Sequence, residues 1–152
     1  MNPPSMPVCV WMEKRILASR WVSHEWGAAA VTMPAAAPPQ PGWERHEGHA
    51  VSLHRDEAEG YYLNTSTGDP KVFVMWRPEE GEGGEAAVPR TVTLSYNEAA
   101  RLMDAQEKVD AVPMPPVMRA WLEAYVAQNY RPEPKKKRVR SSFVAPAERS
   151  KL

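Results

Sequence analysis

Cysteine and long apolar runs are nearly absent from this sequence of 152 residues. Cys9 is the single cysteine. A lone cysteine cannot close an internal disulfide, so a disulfide scaffold is excluded and a reducing compartment is favoured. No stretch approaches the roughly 20 apolar residues that a membrane-spanning helix needs, and the N-terminus places its charges after a short apolar run, the reverse of a secretory signal. These features predict a cytoplasmic protein without a transmembrane segment.

Sequence motifs of catalytic, nucleotide-binding and metal-binding sites are scarce as well. The sequence contains no phosphate-binding loop, nucleophile elbow or dinucleotide fingerprint, and no His/Cys cluster with zinc spacing. His46 and His49 have a spacing that binds metal on a helix, but their segment does not have a helical pattern. His54 lies close to Glu57, as general acid–base catalysis requires, but any polar loop can carry the same groups. We therefore expect no catalytic residue, no metal site and no cofactor, and we interpret the chain as a non-enzyme.

The charges are distributed unevenly although the formal net charge is zero. Residues 131–152 hold eight Lys/Arg and two Asp/Glu, whereas residues 1–130 hold 11 Lys/Arg and 17 Asp/Glu. The C-terminal end therefore carries +6 and the rest −6, which suggests a tail with its own partner. Such a tail cannot pack into a core, and we expect it to be disordered and to bind a protein, phosphates or an anionic surface. The alternative is that the tail lies on the acidic body of the same chain.

Alternating apolar residues predict six strands, and the 16 prolines mark loops and boundaries between them. Cys9 falls inside the first strand, where we expect it to fill space rather than act as a nucleophile. Residues 32–42 are rich in proline and predict a loop, whereas the acidic, glycine-rich residues 78–89 predict a mobile loop. The predicted strands cover residues 8–16, 20–31, 49–53, 61–65, 71–77 and 91–94, with a tight turn at Ala18-Ser19 between the first two.

Two helices follow the strands. Ser95 and Glu98 match a capping box that begins a short helix ending near Gln106. A connector leads to a second, amphipathic helix that begins near Pro116 and ends near Asn129. Strands first and helices last predict an α+β fold, with an antiparallel sheet of about six strands that is either open or partly closed into a barrel. The domain prediction is a flexible N-terminus at 1–7, one domain at 8–130 and a disordered basic tail at 131–152.

Six tryptophans are many for a chain of this length. We expect Trp11, Trp76 and Trp121 in the core, whereas Trp21 and Trp26 point to opposite faces of one strand, so at most one of them is buried. The other could form an interaction patch, because Trp and Arg are enriched in binding hot spots; the alternative is that both pack under loops. The candidate partner-binding residues are Arg20, Trp21, His24 and Trp26 in this strand, and Lys135, Lys136, Lys137, Arg138 and Arg140 in the tail.

Several short motifs, in their order along residues 8–140, resemble a proteobacterial family of unknown function that is often encoded beside molybdenum formate dehydrogenase genes. The matching motifs are Ser19-Arg20-Trp21-Val22 with Trp26, Leu53-His54-x-x-Glu57, Tyr62-x-Asn64, Pro70 with the strand to Arg77, Val92-Thr93-x-Ser95-x-x-Glu98-Ala99, and Val109-Asp110-x-Val112-Pro113-Met114-Pro115. The resemblance implies a bacterial protein with a role in assembling or maturing that enzyme. It implies no catalytic residue.

Three functions are weighed on these grounds. The leading hypothesis is a non-enzymatic accessory protein that binds a protein partner, such as a formate dehydrogenase component or maturation factor. The second is a nucleic-acid-binding protein whose basic tail neutralises phosphates. The third is a metal-dependent function through the histidines and Glu57.

Overall fold

Two three-stranded antiparallel sheets and three helices make up the computed structural model, which describes residues 2–16, 24–81 and 83–132. The predicted α+β fold class is confirmed. The first sheet has the order β2-β1-β3 and the second β5-β4-β6. The elements are β1 (Ser5–Ile16), β2 (His24–Thr32), β3 (Glu44–Ser52), α1 (Ala58–Thr65), β4 (Lys71–Gly81), β5 (Gly84–Thr93), α2 (Tyr96–Asp104), β6 (Lys108–Pro113) and α3 (Pro116–Asn129).

The first sheet is covered on both faces. Val8, Val10 and Met12 of β1 face the main core, while Trp11 is buried on the opposite face. The guanidinium of Arg45 lies 4.5 Å from the centroid of the Trp11 ring and donates to the carbonyl of Ala36 at 2.7 Å. The predicted loop between the second and third strands is thus present, and Arg45 holds it near Trp11.

The N-terminal boundary differs from the expectation. β1 begins at Ser5, which pairs with Ser52 of β3, so residues 5–7 belong to a strand and not to the predicted flexible segment 1–7. Pro4 also accepts a hydrogen bond from the amide of Leu53 at 2.9 Å. The sequence missed this extension because Pro7, which has no amide to donate, weakens a strand pattern there.

Tyr61 belongs to a helix, so the predicted strand at 61–65 is wrong. A short 3₁₀ turn, Arg55–Glu57, leads into α1. Asn64 is buried, donates to the carbonyls of Lys71 at 2.7 Å and Leu94 at 3.0 Å, and accepts from the amide of Lys71 at 2.9 Å. These three bonds join α1 to the chain around β4 and β5, and such tertiary contacts decide between helix and strand when a short segment has an ambiguous period.

The acidic segment 78–89 is a hairpin arm and not a loop. β4 continues to Gly81 and pairs with β5, with Glu80 opposite Glu85. Arg90 forms an ion pair with Glu79 across the two strands. Composition alone indicated a loop because acidic and glycine residues are depleted in strands, but cross-strand pairing overrides that preference.

The connector after the first predicted helix contains a strand that the sequence did not reveal. β6 pairs antiparallel with β4, with Val112 opposite Val72, and lies at one edge of the second sheet. The two sheets approach each other along β2 and β6 and along β3 and β5. Within the described residues no strand pairing joins them, so the partly closed barrel that the sequence allowed is not formed.

Both predicted helices are present. Ser95 Oγ accepts from the amide of Glu98 at 3.0 Å, as a helix cap does. In a capping box the amide of Ser95 would donate to the side chain of Glu98. Here it donates instead to Thr93 Oγ1 at 3.1 Å. In α3 the side chains of Met118 and Leu122 are buried, which agrees with the predicted amphipathic face.

Gly60 allows α1 to lie against the start of α2. A Cβ at this position would lie 2.1 Å from Ser95 Oγ and 3.1 Å from the amide nitrogen of Asn97. We expect Gly60→Ala to lower the free energy of unfolding by about 1–3 kcal/mol, because the added methyl group overpacks the contact. At a solvent-exposed position of a helix the same substitution is stabilising. Urea unfolding measures this change. Gly83→Ala is the control, because a Cβ there meets nothing within 4 Å, and equal stability of the two variants would contradict the close approach.

Candidate functional site

Two of the nine candidate partner-binding residues lie in the described part of the chain. His24 and Trp26 lie at the start of strand β2, and both are half-buried. Arg20 and Trp21 fall within residues 17–23, together with the predicted turn at Ala18-Ser19, and lie outside the described residues. The tail candidates Lys135, Lys136, Lys137, Arg138 and Arg140, and the predicted disorder of the tail, also lie outside them.

His24 and Trp26 line an open cleft of about 410 Å³ where β2 meets β6 and the hairpin arm. We call it the aromatic cleft. Its lining is formed by two indole rings, five titratable side chains and two apolar residues: His24, Glu25, Trp26, Trp76, Pro78, Glu85, Lys108, Val109 and Asp110. Two of the four candidate residues of the predicted strand, His24 and Trp26, thus lie beside residues of β4, β5 and β6.

Asp110 joins the two sheets inside the cleft. Its Oδ2 accepts from the backbone amide of Ala28 at 2.9 Å and from Trp76 Nε1 at 2.8 Å. Gly27 provides the space, because a Cβ there would lie 3.3 Å from Asp110 Oδ2 and 2.9 Å from Arg15 Nη2. The carboxylate therefore takes the place of a backbone carbonyl in pairing the edge of β2, and it fixes the Trp76 ring.

Each indole ring of the cleft already has an ammonium group near it. Lys14 Nζ lies 5.7 Å from the centroid of Trp26, and Lys108 Nζ lies 5.5 Å from the centroid of Trp76. Both distances are within the range of cation–π attraction. Trp26 Nε1 is enclosed and has no hydrogen-bond partner among the described residues, which is an unusual state for an indole.

The charged groups around the rings are of both signs. Glu25, Glu85 and Asp110 line the cleft together with Lys108, and Lys14 and Arg15 approach it from β1. Glu25 lies 3.9 Å from Arg15, and both side chains are largely exposed, so that pair is weak. The cleft therefore presents the half-buried Trp26 and one edge of the buried Trp76 among charges of both signs.

Glu57, one of the two residues that the sequence grouped as an acid–base pair, has structural partners. Glu57 accepts from Ser95 Oγ at 2.6 Å and pairs with Arg101 at 2.5 Å. In the described part of the chain, no group of three or more His, Cys, Asp or Glu side chains is placed to hold a metal ion. Burial raises the pKa of the Cys9 thiol, which disfavours the nucleophilic thiolate. Among the described residues, no helix has the length and apolar composition needed to cross a bilayer.

The sequence missed three contributors to the cleft. Trp76 was assigned to the core, which is correct for most of its surface, but its edge also lines the cleft. Lys108 and Asp110 were placed in a connector, and only their position on β6 brings them to β2. The weak signal that pointed to Asp110 was its place in the Val109-Asp110-x-Val112 motif.

We expect Asp110→Ala to lower the free energy of unfolding by about 2–3 kcal/mol, because it leaves the Ala28 amide and the Trp76 indole without an acceptor. Asp110→Asn keeps an acceptor oxygen and should cost less. Urea unfolding of both variants, with the exposed Asp104→Ala as control, measures this difference. If Asp110→Ala unfolds like Asp104→Ala, the carboxylate does not hold the sheets together.

The lowered pKa of His49 leads us to expect a smaller free energy of unfolding in mild acid. Burial and the neighbouring His46 lower the pKa of His49 from its ordinary value of 6.5. As the pH falls below about 6.5, the unfolded chain takes up the proton before the folded chain does, so the free energy of unfolding decreases toward the lower folded pKa. His49→Gln should therefore lose less stability than the natural chain between pH 7.5 and pH 5.5 in urea unfolding. An unchanged loss would assign the acid sensitivity to other groups.

The comparison with protein families identifies this chain. A family model described as a protein of unknown function, DUF3305, matches residues 7–139, so the chain belongs to that family. The resemblance to a family of unknown function is thereby confirmed. No curated protein and no solved structure matches the chain.

Proposed function

We propose that this chain is a non-enzymatic accessory protein that binds a protein partner through the aromatic cleft. The observation that carries the proposal is the cleft itself, in which the half-buried Trp26 and one edge of the otherwise buried Trp76 lie beside the carboxylate of Asp110. Tryptophans in partly enclosed, preorganised positions are the residues that contribute most to protein interfaces. The candidate residues His24 and Trp26 belong to this surface, and the tail candidates extend the proposal as a second contact.

The engagement of two carboxylates by neighbouring donors supports binding over catalysis. Asp110 Oδ2 is already used by two donors, and the acid–base group around Glu57 is used to position α2. A side chain that is engaged in this way is a poor proton carrier, because catalysis requires a group free to exchange its proton with substrate. Binding is therefore the function that these contacts support best.

The partner that we propose is a formate dehydrogenase component or a factor that matures it. This finer proposal rests on the resemblance of the sequence motifs to a family encoded beside those genes, which is an association and not a mechanism. We further propose that the protein acts in the cytoplasm, where such assembly factors meet their client.

Trp26→Ala should reduce capture of the partner at least about tenfold, because a hot-spot tryptophan contributes about 2 kcal/mol or more. The protein is purified from its native host and its companions are identified by mass spectrometry, with the variants compared at equal expression. Enrichment of formate dehydrogenase subunits or maturation factors by the natural chain, and their loss in the variant, would support the proposal.

Two controls separate binding from folding. Val117→Ala removes an apolar side chain that is 64% exposed and lies outside the cleft, so capture should be unchanged. Trp26→Phe keeps an aromatic ring and should keep part of the binding. Thermal unfolding of each variant shows whether a loss of capture merely follows a loss of structure, and equal capture by Trp26→Ala and the natural chain would remove the cleft from the proposal.

Nucleic-acid binding is the second candidate, and the observation that favours it is the net charge of +6 on residues 131–152. It predicts binding that weakens steeply as salt increases, since bound cations release counterions from phosphates. A chain that ends after Pro132 should then lose its affinity for DNA and RNA. Absence of binding at low salt, or equal binding by the truncated chain, would end this candidate.

A further inference from the structure

We propose that the junction of β3 with β5 is a pH-sensitive joint, which opens when His49 takes up a proton beside His46, while the junction of β2 with β6 stays closed. The inference goes beyond partner binding and does not depend on it. It follows from the difference between the two junctions, from the side of β3 that the histidines occupy and from the charges that surround them.

The two junctions between the sheets are built differently. Where β2 meets β6, Asp110 of one sheet accepts from the amide of Ala28 on the other. β3 and β5 also approach each other, but among the described residues no hydrogen bond or ion pair links these two strands. A cavity of about 300 Å³ lies between them. The junction of β3 with β5 therefore rests on side-chain packing, without the bridge that the other junction has.

A β-bulge at Gly48 brings the two histidines to the same face of β3. Val8 of β1 lies opposite His49. Val10, two residues further along β1, lies opposite His46, three residues away on β3, and Gly48 absorbs the extra residue with a φ of 84°. Residues directly opposite each other in an antiparallel pair share a face, and both valines face the main core. His46 and His49 therefore lie on the face of β3 that is turned toward the second sheet.

Both imidazoles are partly withdrawn from water. His49 is half-buried and lines the cavity beside β5. His46 is half-buried as well, and its Nε2 is enclosed without a hydrogen-bond partner among the described residues. An imidazolium has two N–H groups that need an acceptor or water, whereas a neutral imidazole has one. Uptake of a proton at this position therefore favours a state in which water reaches the rings.

The charged groups around the histidines are of both signs. The side chains that face them from β3 and from the neighbouring segments are Glu44 on β3, 3.8 Å from His46 Nε2, His54 after β3, Arg90 on β5 with its ion-pair partner Glu79 on β4, and Glu98 on α2. Arg45 and Glu47 pair with each other on the opposite face of β3. From β1 the histidines meet only the two valines. No single fixed charge therefore decides the response, and burial has the larger effect.

The sign of the response follows from linkage. Burial first, and His46 second, lower the pKa of His49 from its ordinary value of 6.5, so the carboxylate of Glu98 does not offset them. Opening returns His49 to water and its pKa toward that ordinary value. As the pH falls below about 6.5, the open form takes up the proton before the closed form does, and the closed form loses stability relative to it. Each pKa unit that His49 regains on opening raises the open fraction up to about tenfold.

Opening also exposes apolar side chains. Val51 of β3 and Val92 of β5 are buried in the main core, and Val92 also lines the cavity between the two strands. Separation of β3 from β5 brings water to both. The joint thus couples proton uptake to the exposure of apolar surface between the two sheets.

Paired spin labels measure the opening directly. One pair is attached to Ala50→Cys and Thr91→Cys, which line the cavity from β3 and β5. The control pair is attached to Glu25→Cys and Lys108→Cys, which line the aromatic cleft from β2 and β6, and Cys9 is replaced by Ala in both chains. By double electron–electron resonance, we expect the fraction of long β3–β5 distances to rise at least about threefold from pH 7.5 to pH 5.5, and the β2–β6 distances to stay the same.

Histidine variants test which group is responsible. His49→Gln keeps a polar side chain that cannot take up a proton, so it should abolish the rise in long β3–β5 distances. His46→Gln removes one of the two causes of the lowered pKa and should reduce the rise. His24→Gln removes a histidine at the other junction and should leave it unchanged. A rise that persists in His49→Gln, or one that His24→Gln lowers as much as His49→Gln does, overturns the proposal.

A second measurement uses the natural chain and does not depend on any variant. NMR follows the imidazole signals of His49 and the methyl signals of Val51 and Val92 as the pH falls. We expect these signals to share one midpoint, which is also the midpoint of the β3–β5 opening. Methyl signals that do not follow the His49 titration, unchanged β3–β5 distances, or lengthening of both labelled pairs together, which is the sign of global acid unfolding, would each overturn the proposal.

Discussion

The carboxylate of Asp110 holds together the part of the molecule in which the candidate site lies. It accepts from the amide of Ala28 on one sheet and from the Trp76 indole on the other. Removing a carboxylate from water is costly unless donors satisfy it, and two donors from separate elements satisfy the half-buried Asp110. The gap between β2 and β6 is thereby bridged by a side chain instead of a strand ladder, and the bridge leaves a cleft beside it.

The incomplete closure of the sheets explains both the shape of the site and its chemistry. A closed barrel would pair every strand edge and leave its interior filled by side chains. In this fold the sheets meet without pairing, so aromatic side chains near the junction remain partly accessible. Outside the cleft, Asn64 joins α1 to the chain around β4 and β5 with three hydrogen bonds.

Sequence patterns predicted the strands and helices in which the spacing of apolar residues matches the face that is buried in the structure. Alternation identified the buried part of β1 and the strand that became the start of β4, and the helical spacing of Met118 and Leu122 identified α3. The errors have a common cause. Tyr61 alternates as if in a strand, but Asn64 and Gly60 place it on a helix through contacts with distant residues, and the arm at 78–89 is ordered by pairing across the hairpin.

The sequence by itself determined the α+β class, the absence of recognisable catalytic motifs, the opposed charges of body and tail, and the family to which the chain belongs. It also gave His24 and Trp26 as candidate partner-binding residues, because Trp and Arg are enriched in binding hot spots. Only the tertiary structure decided that Trp76, Lys108 and Asp110 stand beside them. The physical reason is that these residues are separated by tens of positions along the chain, and their meeting depends on strand order and on one side-chain hydrogen bond, neither of which leaves a periodic signal in the sequence.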